Sequence, residues 1–308
     1  MLRRLRDLLT ERSLASRAAP ETRTSDASSE AYWRDHNVTL HKKFSSVGES
    51  LEYLDWRNSQ YIDYEKFLPV SSHEGEVVLD YGCGPGHDLV GFMTYSRPVA
   101  VYGLDVSQTS LTEAASRLDL HNYRCKLIQI SESDERLPIN DSSVDYVHCS
   151  GVLNHVPDPE RVLKEFWRIL RPSGYARLMV YNRDSIWFQL YASYILPSLD
   201  IRYRDLPIEE AFRRSTDGFD CPISRSWTVE EMVKLARVAN FQATHIGNCI
   251  SLFEMTLLPQ RFAPIMNPSF RLESRKFLSK IVLDARGVPF VDGQVAGIDG
   301  CYELRKSR

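Results

Sequence analysis

The sequence predicts an α/β fold, a mostly parallel sheet with helices on both faces. Three observations lead there. Apolar runs near 76–80, 100–105, 125–130, 144–149 and 175–181 alternate with amphipathic, helix-length segments. The runs are continuously apolar, as suits strands buried on both faces. The first ends in an acid with three glycines at every second position after it, Asp80-Tyr81-Gly82-Cys83-Gly84-Pro85-Gly86, and the second ends in another acid, Asp105.

Composition sets the bounds. The 308 residues suffice for one large domain or one domain with attachments. Hydrophobic residues make up 43% and charged residues 26%, an ordinary globular balance. The formal charge of −3 supplies no global basic field, so no nucleic-acid partner is expected. The six cysteines form no C-x-x-C pair, and no metal site is expected from them. Several lie in apolar runs, where a free thiol acts as a small hydrophobe, so a reduced, cytoplasmic compartment is expected. No apolar stretch approaches the roughly 18–20 residues that span a bilayer.

Along the chain, residues 1–30 read as a flexible or amphipathic segment. The start lacks the continuous apolar core of a signal peptide. Leucines at 2, 5, 8 and 9 allow a short helix, either frayed or docking on a membrane surface or partner through residues 1–12. Residues 13–30 are polar and small, a linker. Residues 31–72 are aromatic-rich and read as a helical cap outside the sheet, with a helix over 50–67 stopping at Pro69. The sheet domain is expected over 73–260. Ser107 caps a helix carrying Leu111, Ala114 and Leu118. Asp158-Pro159-Glu160 supplies an N-cap, a first-turn proline and an acid at the positive dipole end. An insertion over 183–225, with a buried helix near 186–196, follows the fifth strand and is a lid or acceptor-site element. Thr228-Val229-Glu230-Glu231 is a capping box. Strand-like runs lie near 242–247 and 250–258, and 261–308 reads as a weakly periodic C-terminal extension.

The glycine loop carries the chemistry. A strand turning sharply into a helix while its backbone nears a ligand needs residues that accept positive φ and lack a Cβ. Gly82, Gly84 and Gly86 meet that need, and the helix start behind them offers free N–H groups. An acid at the strand end, Asp80, is hostile to pyrophosphate but can hold an ammonium group. The G-x-G-x-x-G dinucleotide pattern fails in detail. The spacing therefore favours S-adenosylmethionine over a dinucleotide. Asp105 can accept both ribose hydroxyls. A polar residue within 131–138 can bond the adenine amino group. Ser150 and Gly151 are small enough to let the sulfonium and an acceptor meet.

These pieces resemble class I S-adenosylmethionine-dependent methyltransferases of the ubiquinone/menaquinone-biosynthesis type. The matching stretches are 78–86, 103–107, Leu137-Pro138 through Val147, and His155-Val156-Pro157-Asp158-Pro159-Glu160 through Gly174, together covering about 75–182. The resemblance implies a Rossmann-like seven-stranded sheet of order 3-2-1-4-5-7-6 with the seventh strand antiparallel. It implies that Asp80, Gly82, Cys83, Gly84 and Gly86 surround the methionine portion, and that Asp105 with Val106 holds ribose and adenine. Relatives often carry Asp-Ala where Ser133-Asp134 stands here, so the adenine contact falls to Ser133 or Asp134.

Methyl transfer is an in-line displacement that needs alignment in a dry pocket, with a base only where the nucleophile must lose a proton. His155 and Tyr181 are the base candidates, with Asp217 a weaker one; His148 lies within a strand, where a buried structural role fits better. The expected activity is methyl transfer to O or N of a small-molecule acceptor. The alternatives are an RNA methyltransferase, which lacks an appended RNA-binding module here, and a non-catalytic cofactor-binding regulatory or scaffold subunit.

Overall fold

The computed structural model describes residues 28–36 and 42–307. Most of the segment read as flexible, including residues 1–12, lies outside the described residues. In chain order the helices are α1 (Ser29–Asp35), α2 (Val47–Ser59), α3 (Tyr64–Phe67), α4 (His87–Tyr95), α5 (Gln108–Leu120), α6 (Pro159–Ile169), α7 (Leu196–Leu199), α8 (Ile208–Thr216), α9 (Val229–Val238), α10 (Leu252–Leu257), α11 (Phe262–Met266) and α12 (Leu272–Ser279). A π-helix, Trp187–Ile195, precedes α7. The strands are β1 (Tyr61–Ile62), β2 (Val77–Tyr81), β3 (Ala100–Asp105), β4 (Lys126–Gln129), β5 (Val144–Ser150), β6 (Leu170–Tyr181), β7 (Phe241–Ser251), β8 (Val282–Leu283), β9 (Pro289–Val291), β10 (Gln294–Val295) and β11 (Asp299–Lys306).

The main sheet has the order β1-β7-β11-β6-β5-β2-β3-β4. β4, β3, β2, β5 and β6 run parallel, and β11 is antiparallel to both β6 and β7. Read from β4, this is the expected 3-2-1-4-5-7-6 order with one strand added. The sheet therefore has eight strands, not seven. The addition comes from the segment read as a cap outside the sheet: Tyr61 and Ile62 pair with Ser251 and Ile250. The helix expected over 50–67 breaks to allow it, because Asp63 at φ +67 turns the chain between β1 and α3. β1 covers part of the edge that β7 would otherwise leave unpaired.

The tail differs as well. Within 261–308, read as an extension, Asp299–Lys306 forms β11 between β6 and β7, near the middle of the sheet. Glu303 and Arg305 break its apolar pattern, which hid the strand. The run at 250–258 ends as a strand at Ser251 and continues as α10, because Ser251 and Glu254 form a reciprocal capping box. The expected caps are present: Ser107 accepts from Ser110 N–H, Asp158 from Arg161 N–H, and Thr228 boxes with Glu231.

Both faces of the sheet are covered. One packs Leu79, Val147 and Leu178 against Phe166 of α6 and Met232 of α9. The other packs Val78, Val101 and Tyr146 against Leu89 and Phe92 of α4 and Leu118 of α5. The π-helix carries its own cluster with α8, through Phe188 and Phe212.

Two buried ionic features join the outlying elements to the sheet. Arg57 of α2 donates to both oxygens of Asp88 at 2.6 and 3.1 Å. Glu254 accepts from Ser251 N–H at 3.0 Å, Ser251 O–H at 2.9 Å and Trp187 N–H at 3.2 Å, and from Ile298 N–H at 3.4 Å. It thereby ties the π-helix and the approach to β11 onto β7. Burial pushes the Glu254 carboxyl up to about 7, against the pull of those bonds.

Arg57→Met leaves Asp88 charged and buried without its main partner. Urea unfolding is expected to show a loss of about 3 kcal/mol. Glu254 has its folded pKa raised, so as pH climbs from about 4.5 to about 7 the unfolded chain sheds this proton while the folded chain keeps it. Its contribution to stability falls across that window, by on the order of 2–3 kcal/mol. The difference in unfolding free energy between the wild type and Glu254→Gln should shrink correspondingly; a difference independent of pH would contradict the assignment.

Candidate active site

β2 delivers its carboxyl end to the crevice through a turn that only glycine tolerates. Gly82, Gly84 and Gly86 have φ of +76, +50 and +78. A Cβ on Gly82 would overlap the Val152 side chain, and one on Gly86 would sit 3.0 Å from Ala114 Cβ. At Gly84 nothing lies within 4 Å of the Cβ position, so this glycine faces open space. Gly82 and Cys83 donate their N–H groups to Leu104 O at 2.7 and 3.0 Å, which binds the turn to β3. The Cys83 thiol packs inward beside Gly103, leaving that residue's backbone at the turn.

Asp105, at the end of β3, clasps the same turn. One oxygen accepts Gly84 N–H and the other Ser107 N–H, both at 2.8 Å. The carboxylate expected to grip a ribose thus also fixes the loop. Burial raises its pKa, while these amide bonds oppose the rise. Val106 follows it and backs onto the main core.

Asp80 is buried, and one of its carboxylate oxygens has no hydrogen-bond partner. Burial pushes its pKa well up, and the charge of Asp88 adds to the rise. Burial acts the same way on Asp88, but the Arg57 guanidinium outweighs it and holds that carboxyl below the usual range. His148, fully buried in β5, faces Asp88 at 3.5 Å. Ser150, at the end of β5, shares a 2.8 Å hydrogen bond with the Tyr64 hydroxyl of α3.

Past β4, Asp134 accepts Ser131 N–H at 2.8 Å and closes a small turn, with Ser133 Oγ 3.0 Å from Ser131 Oγ. α1 lies on this turn: Glu30 accepts the Ser131 hydroxyl at 2.7 Å and Glu132 N–H at 3.2 Å. α1 also reaches the next loop, where Ser29 O–H donates to His155 O at 2.8 Å. Tyr32 O–H donates to Asp217 O at 2.5 Å.

The two base candidates converge under α1. Tyr181 O–H donates to Asp217 Oδ2 at 2.9 Å, and His155 Nε2 faces the same oxygen at 3.4 Å. The Trp33 ring stands edge-on to His155 with centroids 4.7 Å apart. Asp299 begins β11 directly opposite Tyr181. Burial first, then the Asp217 and Asp299 charges, push the Tyr181 hydroxyl well up. Eight buried side-chain N or O atoms of the described residues lack a hydrogen-bond partner, and six belong to this edge: Trp33 Nε1, Asp80 Oδ2, His148 Nε2, Asn154 Nδ2, His155 Nε2 and Asp299 Oδ2. Buried polar atoms are normally satisfied, so such a concentration marks where a polar ligand would be met.

Sequence reasoning placed Asp217 low and gave no role to Asp88, Arg57, Tyr64, Glu30 or Asp299. Asp88 lies two residues past Gly86, in the first turn of α4, which was a usable signal. The others come from distant segments, and nothing local marks them. Gly82→Ala is expected to cost more than about 2 kcal/mol, from positive-φ strain plus the overlap with Val152. Thermal unfolding of the variant alone and with Val152→Ala separates the two causes: the double variant should recover only the overlap.

The geometry agrees with the comparisons to known proteins. A methyltransferase-domain family matches residues 79–178. A 37.1 kDa protein of transposon TN4556 from Streptomyces fradiae is 31% identical over 215 residues, which are 68% of this chain and 57% of that protein. The malonyl-[acyl-carrier protein] O-methyltransferase of Marinomonas sp. is 29% identical over 175 residues, covering 54% of this chain and 61% of the relative. The demethylmenaquinone methyltransferase of Lactobacillus johnsonii is 36% identical over 110 residues, covering 35% and 45%. The chain spans about half the length of the curated relatives it matches. Among solved structures, the YcgJ protein of Bacillus subtilis superposes with a TM-score of 0.50 at 16% identity, covering 84% of this chain and 99% of that one. A chain from the complex of the Haloferax volcanii Trm112 methyltransferase activator with a methyltransferase gives 0.51 at 18% identity, covering 85% and 95%. These two likenesses show the fold. Fold, glycine turn and sequence matches together establish that this chain carries a methyltransferase domain of the class I S-adenosylmethionine-dependent superfamily.

Proposed function

We propose that this chain transfers a methyl group to O or N of a small molecule seated beneath α1. The observation that carries the reading is the set of buried polar atoms without a hydrogen-bond partner at the carboxyl edge of the sheet, beside the glycine turn that ends β2. The domain's cofactor is S-adenosylmethionine, and these residues fit it. Asp80 Oδ2 would meet its ammonium group, Asp105 its ribose hydroxyls, and the turn at Ser133 or Asp134 its adenine. When bound, the cofactor supplies an electrophilic methyl on a sulfonium centre.

The protein's part is positioning, water exclusion and proton handling. α1 closes the crevice from above through Glu30, Ser29 and Tyr32. His155 Nδ1 lies 2.6 Å from Ile223 O, an acceptor, so Nδ1 carries a proton and Nε2 is free to take one. Asp217 beside Nε2 would steady the resulting imidazolium. Tyr181 stays protonated, since burial and two carboxylates raise its pKa, and acts as a donor that holds Asp217 in place. A small acceptor suits this closed arrangement better than RNA, and the −3 formal charge offers a polyanion no field. All six cysteines are free, which fits a reduced compartment.

Incubation with methyl-labelled cofactor should label small-molecule fractions and leave RNA unlabelled; the reverse pattern would overturn the reading. His155→Asn should lower kcat by roughly 10²–10⁴-fold. Calorimetric binding of adenosylhomocysteine should survive that change. An unchanged kcat would remove His155 as base.

A further inference from the structure

The helices after β7 bury one side and leave the other bare. Ile265 of α11 and Phe277 and Leu278 of α12 turn inward, into a cluster with Leu190 and Ile195 of the π-helix. The two helices pack on each other, and Phe270 between them meets Tyr194 of the π-helix edge-on at 5.2 Å. Outward, Phe262 is 55% exposed, Met266 82% and Leu272 53%. Phe262 and Met266 lie four residues apart and share one face of α11. A single exposed apolar side chain is ordinary on a protein surface. Three large ones within residues 262–272 are a concentration.

Positive charge gathers on the same segment. Residues 258–280 hold five basic residues and a single acid, Glu273, a net charge of +4 in a chain whose formal charge is −3. Lys280 is committed to Asp292 at 2.9 Å. Among the described residues, Arg261, Arg271, Arg275 and Lys276 form no ion pair. Arg261 stands over the Phe262 ring, 4.1 Å from its centroid, and donates to Leu258 O at 2.9 Å. Arg275 donates to Pro268 O at 3.1 Å. Helical spacing sets Leu272, Arg275 and Lys276 on one face of α12. Cations and apolar side chains therefore alternate across one surface, with no acid but Glu273 in the segment.

We propose that the outer face of α11 and α12 docks on an anionic lipid bilayer, with Phe262, Met266 and Leu272 entering the headgroup boundary and the uncountered cations meeting lipid phosphates and carboxylates. Charge complementarity selects this occupant, because a surface of net positive charge in an acidic protein is attracted to negative charge. The interleaving selects lipid over protein. A protein interface gathers its apolar residues in a core and keeps charges at the rim, whereas here cations stand between the apolar side chains. Fluid lipid admits separate apolar insertions, each beside a cation that stays at headgroup level. The docking is independent of which acceptor the crevice takes.

The test is co-sedimentation of the full chain with vesicles of phosphatidylcholine alone and with about 30% phosphatidylserine added. The chain should bind the anionic vesicles, leave the neutral ones, and come off as salt rises. Arg271→Gln with Lys276→Gln should weaken binding by at least about ten-fold, since each cation near the surface contributes about five-fold. Phe262→Ser with Met266→Ser should cost a similar factor, by removing the inserted side chains. All four side chains are exposed, so thermal melting should be unchanged in both pairs. No binding to anionic vesicles, equal binding to neutral ones, or binding that survives both pairs would overturn the proposal. Survival would move the docking elsewhere in the chain, residues 1–12 included. Self-association in sedimentation velocity that the serine pair abolishes would give the face to a second copy instead, and would equally overturn it.

Discussion

Everything at the carboxyl edge depends on the turn between β2 and α4 being held tight. Three residues there adopt left-handed φ, and the Asp105 carboxylate locks the middle one by accepting Gly84 N–H. The same carboxylate fixes the start of the next crossover through Ser107 N–H. One side chain therefore sets the relation of two strand ends, at a turn whose glycines leave the backbone bare.

Around that turn, neighbouring acids are driven in opposite directions by their partners. Asp88 keeps its charge because Arg57 reaches it from α2, whereas Asp80, equally buried, has a free oxygen and a raised pKa. Such a split is what a functional site needs: one carboxylate committed to structure, and one left responsive to a ligand. The pattern recurs around the start of β11. Glu254 is saturated by hydrogen bonds, while Asp299 keeps an oxygen unmet. Arg57 and Glu254 also do mechanical work, since each fastens an appended segment to the sheet.

How the appended segments close the site follows from topology. α1 touches the loops after β4 and β5 as well as Asp217, so it bridges three segments at the carboxyl edge of the sheet. β11 enters between β6 and β7 and brings Asp299 to the ladder position opposite Tyr181. The surroundings of Tyr181 thus take residues from the insertion, from β11 and from α1, while the glycine turn and Asp105 lie within residues 79–178.

That division explains what was legible. By itself the sequence determined the parallel core strands, the glycine turn, Asp80, Asp105 and the helix caps, because each depends on short-range rules: apolar runs, positive φ, and a side chain bonding N–H groups one turn away. It also singled out His155 and Tyr181 by their places after strand ends. Only the tertiary structure decided that Tyr61 and Ile62 add an eighth strand, that β11 lies inside the sheet, and that Asp217 and Asp299 come to Tyr181, Arg57 to Asp88 and Tyr64 to Ser150. Those positions come from segments tens to hundreds of residues apart, and β11 breaks its own apolar pattern with charges. Their meeting is fixed by strand pairing and shared burial, which leave no local mark on the chain.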